Sequence, residues 1–187
     1  NTKGYEVDIG SGSITIATGA PGGTLDTTDN GGAGYEGDGT IITDAGNFTI
    51  GAGGVFTKCV QASRRSLVKM DGGATKTFTS DGDDIGDFQT SDASTYINLQ
   101  DNLITEAITI DASTTLNTTA SNRNISATNI TINGTLLANA STITVSGNWD
   151  SSVGTVTVGT STVEVTGSGT ITTKSWNNTF YKLQTAY

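Results

Sequence analysis

A short strand phrase of alternating apolar and polar residues recurs along the chain and limits its possible folds. Each copy is followed within a few positions by Gly, Asn, Asp or Ser. The copies are Ile14–Ile16, Phe48–Ile50, Ile108–Ile110, Ile130–Ile132, Ile143–Val145, Val156–Val158 and Val163–Val165. Alternation with a period of two is typical of strands that bury one face. The recurrence therefore predicts a repetitive body of similar strands.

The composition favours an all-β protein. Threonine, with 36 residues, suits pleated surfaces, and glycine, with 25 residues, suits turns. Strong helix formers are scarce, and we find no amphipathic helical window. A chain of 187 residues is long enough for one well-cored domain or two small ones.

The C-terminal half carries the most regular pattern. Ile130, Ile143 and Val156 follow one another at equal intervals, and the first two units share the order apolar, x, apolar, x, Gly, x, large apolar. Repeats of fixed period whose apolar faces cannot be buried singly are typical of stacked solenoids. The pattern predicts a parallel β-solenoid, or β-helix, with the interval from Ile130 to Ile143 as its repeating unit.

An antiparallel β-sandwich or jelly roll is the alternative fold. Asn133-Gly134 between two apolar runs is a strong signal for a two-residue hairpin. A hairpin there would turn Leu136 outward beside Thr131, whereas a strand that runs on through a bend at Gly134 keeps Leu136 inside with Ile130. The second arrangement buries more apolar surface and favours the solenoid.

The chain divides into three segments that we expect to form one continuous domain. Residues 1–57 form a glycine-rich β-region, and residues 96–187 form the regular repeat with an aromatic C-terminal cap. Between them, residues 58–95 hold a basic run followed by an acidic one. We interpret this middle segment as a charged insertion or contact segment.

The units Asn129–Ala140 and Ser141–Trp149 resemble parallel β-helix repeats of large microbial surface proteins and adhesins, and viral appendages use similar solenoids. The resemblance covers residues 105 to 187 well and the N-terminal half loosely. It implies a structural or adhesive element located outside the cell, on a cell surface or on a virion.

The acidic run from Asp81 to Asp92 is the candidate metal site. Asp81, Asp83, Asp87 and Asp92 occupy positions 1, 3, 7 and 12 of a loop with Gly86 at position 6, which is the spacing of a calcium loop. Ile85 breaks position 5 and the last acid is Asp rather than Glu, so a solvated acidic turn is the alternative. No other cofactor is implied.

Catalysis is not expected. The chain has no histidine to activate its one cysteine, Cys59, as a nucleophile. The pair Asp83-Asp84 could act as the acid and base of a glycosidase, but no other residue pattern supports that reading. We therefore predict a protein that is not an enzyme.

The net charge of −9 argues against nucleic acid as a partner, and no apolar run is long enough to insert into a membrane. Seven Asn-x-Ser/Thr sequons are candidates for N-glycosylation, although a chain so rich in Asn and Thr also produces them by chance. They begin at Asn47, Asn117, Asn124, Asn129, Asn133, Asn139 and Asn177.

Self-association is the predicted function, giving a homo-oligomer or polymer that forms a filament, sheath or surface layer. Arg64 and Arg65 could meet the acidic run of a neighbouring copy, and exposed strand edges could pair. The aromatic end supplies further candidates, which are Trp176, Phe180, Tyr181 and Tyr187. The alternative function is an adhesin or virion-decoration module that recognises glycans or a capsid surface.

Overall fold

The computed structural model describes residues 6–8, 13–16, 24–26, 41–44, 46–61, 64–174 and 180–185. These residues form strands without any helix. The strands are β1 Glu6–Asp8, β2 Ile14–Ile16, β3 Thr24–Asp26, β4 Ile41–Asp44, β5 Phe48–Ile50, β6 Val55–Thr57, β7 Val60–Gln61, β8 Arg64–Arg65, β9 Leu67–Met70, β10 Thr75–Thr79, β11 Asp87–Thr90, β12 Tyr96–Leu99, β13 Leu103–Ile110, β14 Thr115–Asn117, β15 Ile125–Ile132, β16 Thr135–Leu137, β17 Thr142–Val145, β18 Trp149–Ser151, β19 Thr155–Thr157, β20 Thr162–Val165, β21 Ile171–Thr173 and β22 Lys182–Thr185.

The strands stack in parallel on three sides of a β-solenoid of about 6 turns, as the sequence predicted. The first side holds residues 103–105 and 125–127 together with β17, β20 and β22. In earlier turns this side is formed by the paired strands β3 and β6. The second side holds β1, β4, β9, β11, residues 107–110 and 129–132, β18 and β21. The third side holds β2, β5, β10, β12, β14, β16 and β19.

A turn of the solenoid is longer than the interval from Ile130 to Ile143, so the predicted repeating unit is wrong. On the second side Phe88 pairs with Ile108, Ile108 with Ile130, and Ile130 with Trp149. Hydrogen bonds between side chain and backbone of adjacent turns in this half join positions 18 to 22 apart. Ile143 lies on the first side, not above Ile130. The interval seen in the sequence separates two sides, because every side uses the same alternation.

Apolar residues at alternate strand positions form continuous rows inside the solenoid. The second-side row is at most 2 % exposed and consists of Val68, Phe88, Ile108, Ile130 and Trp149. The first-side row contains Leu103, Ile125, Ile143 and Val163, and the third-side row contains Leu116, Leu136 and Val156. Complete burial of each such side chain is worth about 1.5–3 kcal/mol, so these rows stabilise the stack.

The chain runs through the corner at Asn133-Gly134 without forming a hairpin. β15 and β16 belong to different sheets, and Ile130, Ile132 and Leu136 are all buried, as the run-through interpretation predicted. A side chain at Gly134 would place its Cβ 2.3 Å from the carbonyl oxygen of Asp111 in the preceding turn. Glycine is therefore required where two turns approach closely, and the sandwich alternative is wrong.

Aspartate and asparagine side chains tie neighbouring turns together at the corners. Asp101 accepts from the Ser80 N–H of the preceding turn, whereas Asn102 accepts from the Asn124 N–H of the following turn. Asp81, Asp83 and Asp92 reach back in the same way, and Asn47, Asn122, Asn124, Asn129 and Asn148 reach forward. These bonds satisfy backbone donors where the strand pairing is interrupted.

The solenoid continues through the charged middle of the chain. β9, β10, β11 and β12 all lie in the two long sheets. Within the predicted insertion at residues 58–95, the antiparallel hairpin of β7 and β8 departs from this pattern. Among the described strands, it is the one antiparallel pair.

Candidate functional site

The predicted calcium loop is not assembled as a set of ligands. Asp81 Oδ2 accepts from the Gly53 N–H at 3.0 Å and Asp83 Oδ2 from the Phe56 N–H at 2.6 Å, so both act as corner acceptors. Asp92 lies beyond β11 at a different corner, and Asp87 begins β11 itself. Across the described ranges, no group of three or more His, Cys, Asp or Glu side chains could hold a metal ion. Calcium binding stays a prediction without a ligand set.

A different charged group comes together around Lys58, at the corner between the first and second sides. Its Nζ donates to Asp84 Oδ2 and, at 2.6 Å, to Glu106 Oε1. The Lys58 side chain is 18 % exposed, and the two carboxyl side chains are 35 % and 38 % exposed. We call these three residues, which lie on three successive turns, the Lys58 cluster.

Glycine at position 86 shapes the acidic half of this cluster. Gly86 has φ +80°, and its backbone nitrogen donates to Asp84 Oδ1 at 3.1 Å. A Cβ at this position would lie 2.6 Å from the carbonyl oxygen of Ser66 in the preceding turn. Both the left-handed backbone and the close approach require glycine. The hydrogen bond from Gly86 holds one oxygen of the Asp84 carboxylate while the other oxygen accepts from Lys58.

Glu106 reaches Lys58 because β13 changes sides at this point. Leu103 and Thr105 point inward on the first side and Ile108 and Ile110 on the second, which leaves Glu106 and Ala107 as two consecutive half-buried residues. The Glu106 N–H donates to the carbonyl oxygen of Gly86 at 2.6 Å. Its carboxylate is thereby held at the corner beside Lys58.

The two carboxylates keep Lys58 charged. Burial of the side chain lowers the pKa of Lys58, but the hydrogen bonds and negative charges of Asp84 and Glu106 outweigh burial and raise that pKa above its ordinary value of 10.5. The side chain is therefore an ammonium at neutral pH, and its charge partly balances the two carboxylates.

The predicted contact residues occupy two separate places. Arg64 and Arg65 form β8, paired with β7 in the antiparallel hairpin. Phe180 packs edge-on against Trp149, with ring centroids 5.4 Å apart, while Tyr181 is 64 % exposed. Trp176 and Tyr187 lie outside the described residues. The described part of the aromatic end thus covers the core with one ring and leaves another in solvent.

The C-terminal end of the first side is an open strand edge. β22 pairs with β20 along one edge, and no other described strand lies along its second edge. Leu183 continues the buried row through Ile143 and Val163, yet it is 47 % exposed. Among the described strands, none lies above this apolar position of the row.

The sequons differ in the availability of their side chains. Asn117 Nδ2 donates to Asn98, and Asn139 Nδ2 donates to Asn117, so both are committed to a ladder between turns. Asn47 and Asn124 are exposed, with Oδ1 accepting from the next turn. Asn129 and Asn133 are half-buried, and Asn177 lies outside the described residues.

Comparisons with protein-family models, with curated proteins and with solved structures give no match for this chain. Over the residues that the structure describes, no helix is long and apolar enough to cross a membrane.

Proposed function

We propose that this chain is an extracellular structural protein whose copies associate end to end into a filament, sheath or surface layer. The observation that carries the proposal is the second edge of β22, along which no described strand lies, together with the exposed Leu183. An unpaired strand presents a row of backbone donors and acceptors that another strand can complete.

The partner in this proposal is a second copy of the same chain. At the other end of the first side, β3 pairs with β6 along one edge and, in the described ranges, with nothing along the other. Because all pairing on this side is parallel, β3 of one copy has the right direction to continue beyond β22 of another. Contacts between two different ends of identical chains are heterologous, and such contacts produce open filaments when the rotation between copies does not close a ring.

Two exposed sequons support a location outside the cell. Asn47 and Asn124 present their side chains on the outer surface of the solenoid, where a glycan would not disturb the core. The resemblance of residues 105 to 187 to repeats of microbial surface proteins agrees with this placement. Cell surface and virion surface are both consistent with the proposal.

The test is electron microscopy and light scattering of the purified chain over a concentration series. The wild type should form ordered fibres, tubes or sheets, and Leu183→Lys should abolish them by placing a charge on the open edge. Val55→Lys is the matched control, because Val55 is 46 % exposed but lies on the outward face of β6. A wild type that stays monomeric, or a Leu183→Lys variant that assembles normally, would overturn the proposal.

A further inference from the structure

The Lys58 cluster contains the groups needed to form a covalent bond between two turns. We propose that the amine of Lys58 and the carboxyl group of Asp84 condense into an amide, with Glu106 as the proton acceptor. The chain would then carry a built-in cross-link between residues 58 and 84. This inference concerns a site away from β22 and does not depend on self-association.

The reacting groups of Lys58 and Asp84 are in contact, and Glu106 binds the same amine. Lys58 Nζ donates to Asp84 and to Glu106 in the same arrangement, so the nucleophile, the carbonyl carbon and the base are already assembled. The residues stand on neighbouring turns whose positions are fixed by strand pairing. Holding two reactants in this way corresponds to effective concentrations of about 10⁵–10⁸ M in favourable cases.

A backbone donor is placed where negative charge would develop. When an amine adds to a carboxyl carbon, charge accumulates on the carboxyl oxygens of the tetrahedral intermediate. The Gly86 N–H already donates to Asp84 Oδ1, the oxygen that does not face Lys58. Preorganised N–H donors of this kind stabilise such intermediates.

The reaction balances without any added reagent. The Lys58 ammonium gives one proton to Glu106, which passes it to Asp84 Oδ2, so that a neutral amine attacks Cγ of a neutral carboxyl group to form the C–N bond. Glu106 then carries a second proton from the nitrogen to the same oxygen. As the intermediate collapses, the bond from Cγ to that oxygen breaks and the oxygen leaves as water. One hydrogen remains on the amide, the two opposite charges are lost together, and Glu106 is regenerated as a carboxylate.

A cross-link here would give the chain an internal covalent constraint that it cannot obtain from a disulfide. The chain has one cysteine, Cys59, so it cannot form an internal disulfide. A bond from residue 58 to residue 84 would close a loop that contains the antiparallel hairpin and strands β9 and β10. Closing a loop of this size restricts the unfolded chain and should raise Tm by about 10 °C.

The test is the intact mass of the purified full chain under denaturing conditions, followed by peptide mapping. The expected result is a mass lower than the sequence mass by one water, with Lys58 resistant to trypsin and its peptide joined to the peptide that contains Asp84. A chain at its full sequence mass would overturn the proposal. So would a water loss that maps to Asp81-Gly82, because an aspartate before glycine can lose water by cyclising with its own backbone.

Three variants and one internal control sharpen this test. Lys58→Arg keeps the positive charge without a nucleophilic amine, and Glu106→Gln removes the base, so both should show the full sequence mass and the lower Tm. Asp84→Ala should do the same.

The ion pair of Lys69 and Asp71, 3.8 Å apart, serves as the internal control and should remain unlinked. A cross-link that persists in Glu106→Gln would overturn the role of Glu106, and one that is equally abundant between Lys69 and Asp71 would overturn the proposed specificity.

Discussion

Residues 46–101 and residues 102–174 build the same solenoid with different chemistry at the corners. The first region uses mainly aspartates that reach back to the preceding turn, with Asn47 as a forward-reaching exception, and the second uses asparagines that reach forward. Asp101 is the last of these aspartates that accept from a backbone N–H of the preceding turn, and it directly precedes Asn102, whereas Asp111 accepts from the side chain of Gln89. Parallel strand pairing therefore sets the geometry, while the corner acceptor can be charged or neutral and can lie on either of the two turns that it joins.

The largest effect should come from the aromatic core of the first region. Phe78 stacks on Phe48 at 5.0 Å and meets Phe88 edge-on at 4.9 Å, so Phe78→Ala should cost about 3–5 kcal/mol by leaving a cavity. Because each turn of a solenoid contacts its neighbours alone, hydrogen exchange should accelerate in residues 46–101 and remain slow in the second region.

The matched variant is Ile130→Ala, which should cost about 2–5 kcal/mol and loosen the second region instead. Hydrogen exchange that accelerates along the whole solenoid in either variant would show that the two regions unfold as one unit. The two regions would then differ in the residues at their corners but not in their stability.

The next effect separates two glycines of the first region that share a left-handed backbone. Gly86→Ala should destabilise the protein by about 3 kcal/mol, because backbone strain is joined by overlap with Ser66. Gly82 has φ +83° with nothing within 4 Å of the position of a Cβ, so Gly82→Ala should cost only about 1 kcal/mol of strain. Urea denaturation measures both values, and equal costs would mean that the turns do not pack as closely as described.

The corner acceptors can be compared directly at the junction of the two regions. Asp101→Ala leaves the Ser80 N–H without its charged acceptor and should cost about 1.5–3 kcal/mol, whereas Asn102→Ala removes a neutral bond and should cost about 0.5–1.5 kcal/mol. Free energies of unfolding from denaturant titrations decide between these outcomes. A larger cost for Asn102→Ala would reverse the proposed ranking of the two chemistries.

The smallest effect concerns an acid of the second region. Hydrogen bonds from Ser152 lower the pKa of Asp150 below its ordinary value of 3.8. A lowered folded-state pKa adds stability above the ordinary value, and this stability is lost as the pH falls through the folded pKa. The difference in urea midpoint between the wild type and Asp150→Asn should therefore shrink as the pH is lowered from neutral through the acidic range. A constant difference would contradict the role of Ser152.

The fold was accessible from the sequence because burial decided the register at Gly134. A hairpin would have exposed Leu136, and the buried alternative is the one observed. The length of a turn was not accessible in the same way. Strand phrases on all three sides look alike, so the most regular spacing measured the path between sides rather than around a full turn.

The Lys58 cluster was not predicted because its members are far apart in the sequence. Lys58, Asp84 and Glu106 stand on successive turns, and only the correct turn length brings the three together. The corner roles of the acidic run depend on the turn length in the same way. Taken alone it has the spacing of a calcium loop, but in the solenoid Asp81 and Asp83 bind backbone amides of the preceding turn.

The three-sided stack has a consequence for how the chain uses its length. Neighbouring parallel strands are about 4.8 Å apart, so a whole turn, such as the one from Phe88 to Ile108, advances the axis by only that distance. An α-helix rises about 5.4 Å in one of its own much shorter turns. The solenoid therefore uses most of its residues for width and lateral surface and few for length along the axis. Any long assembly of this chain would have to gain its length by joining copies.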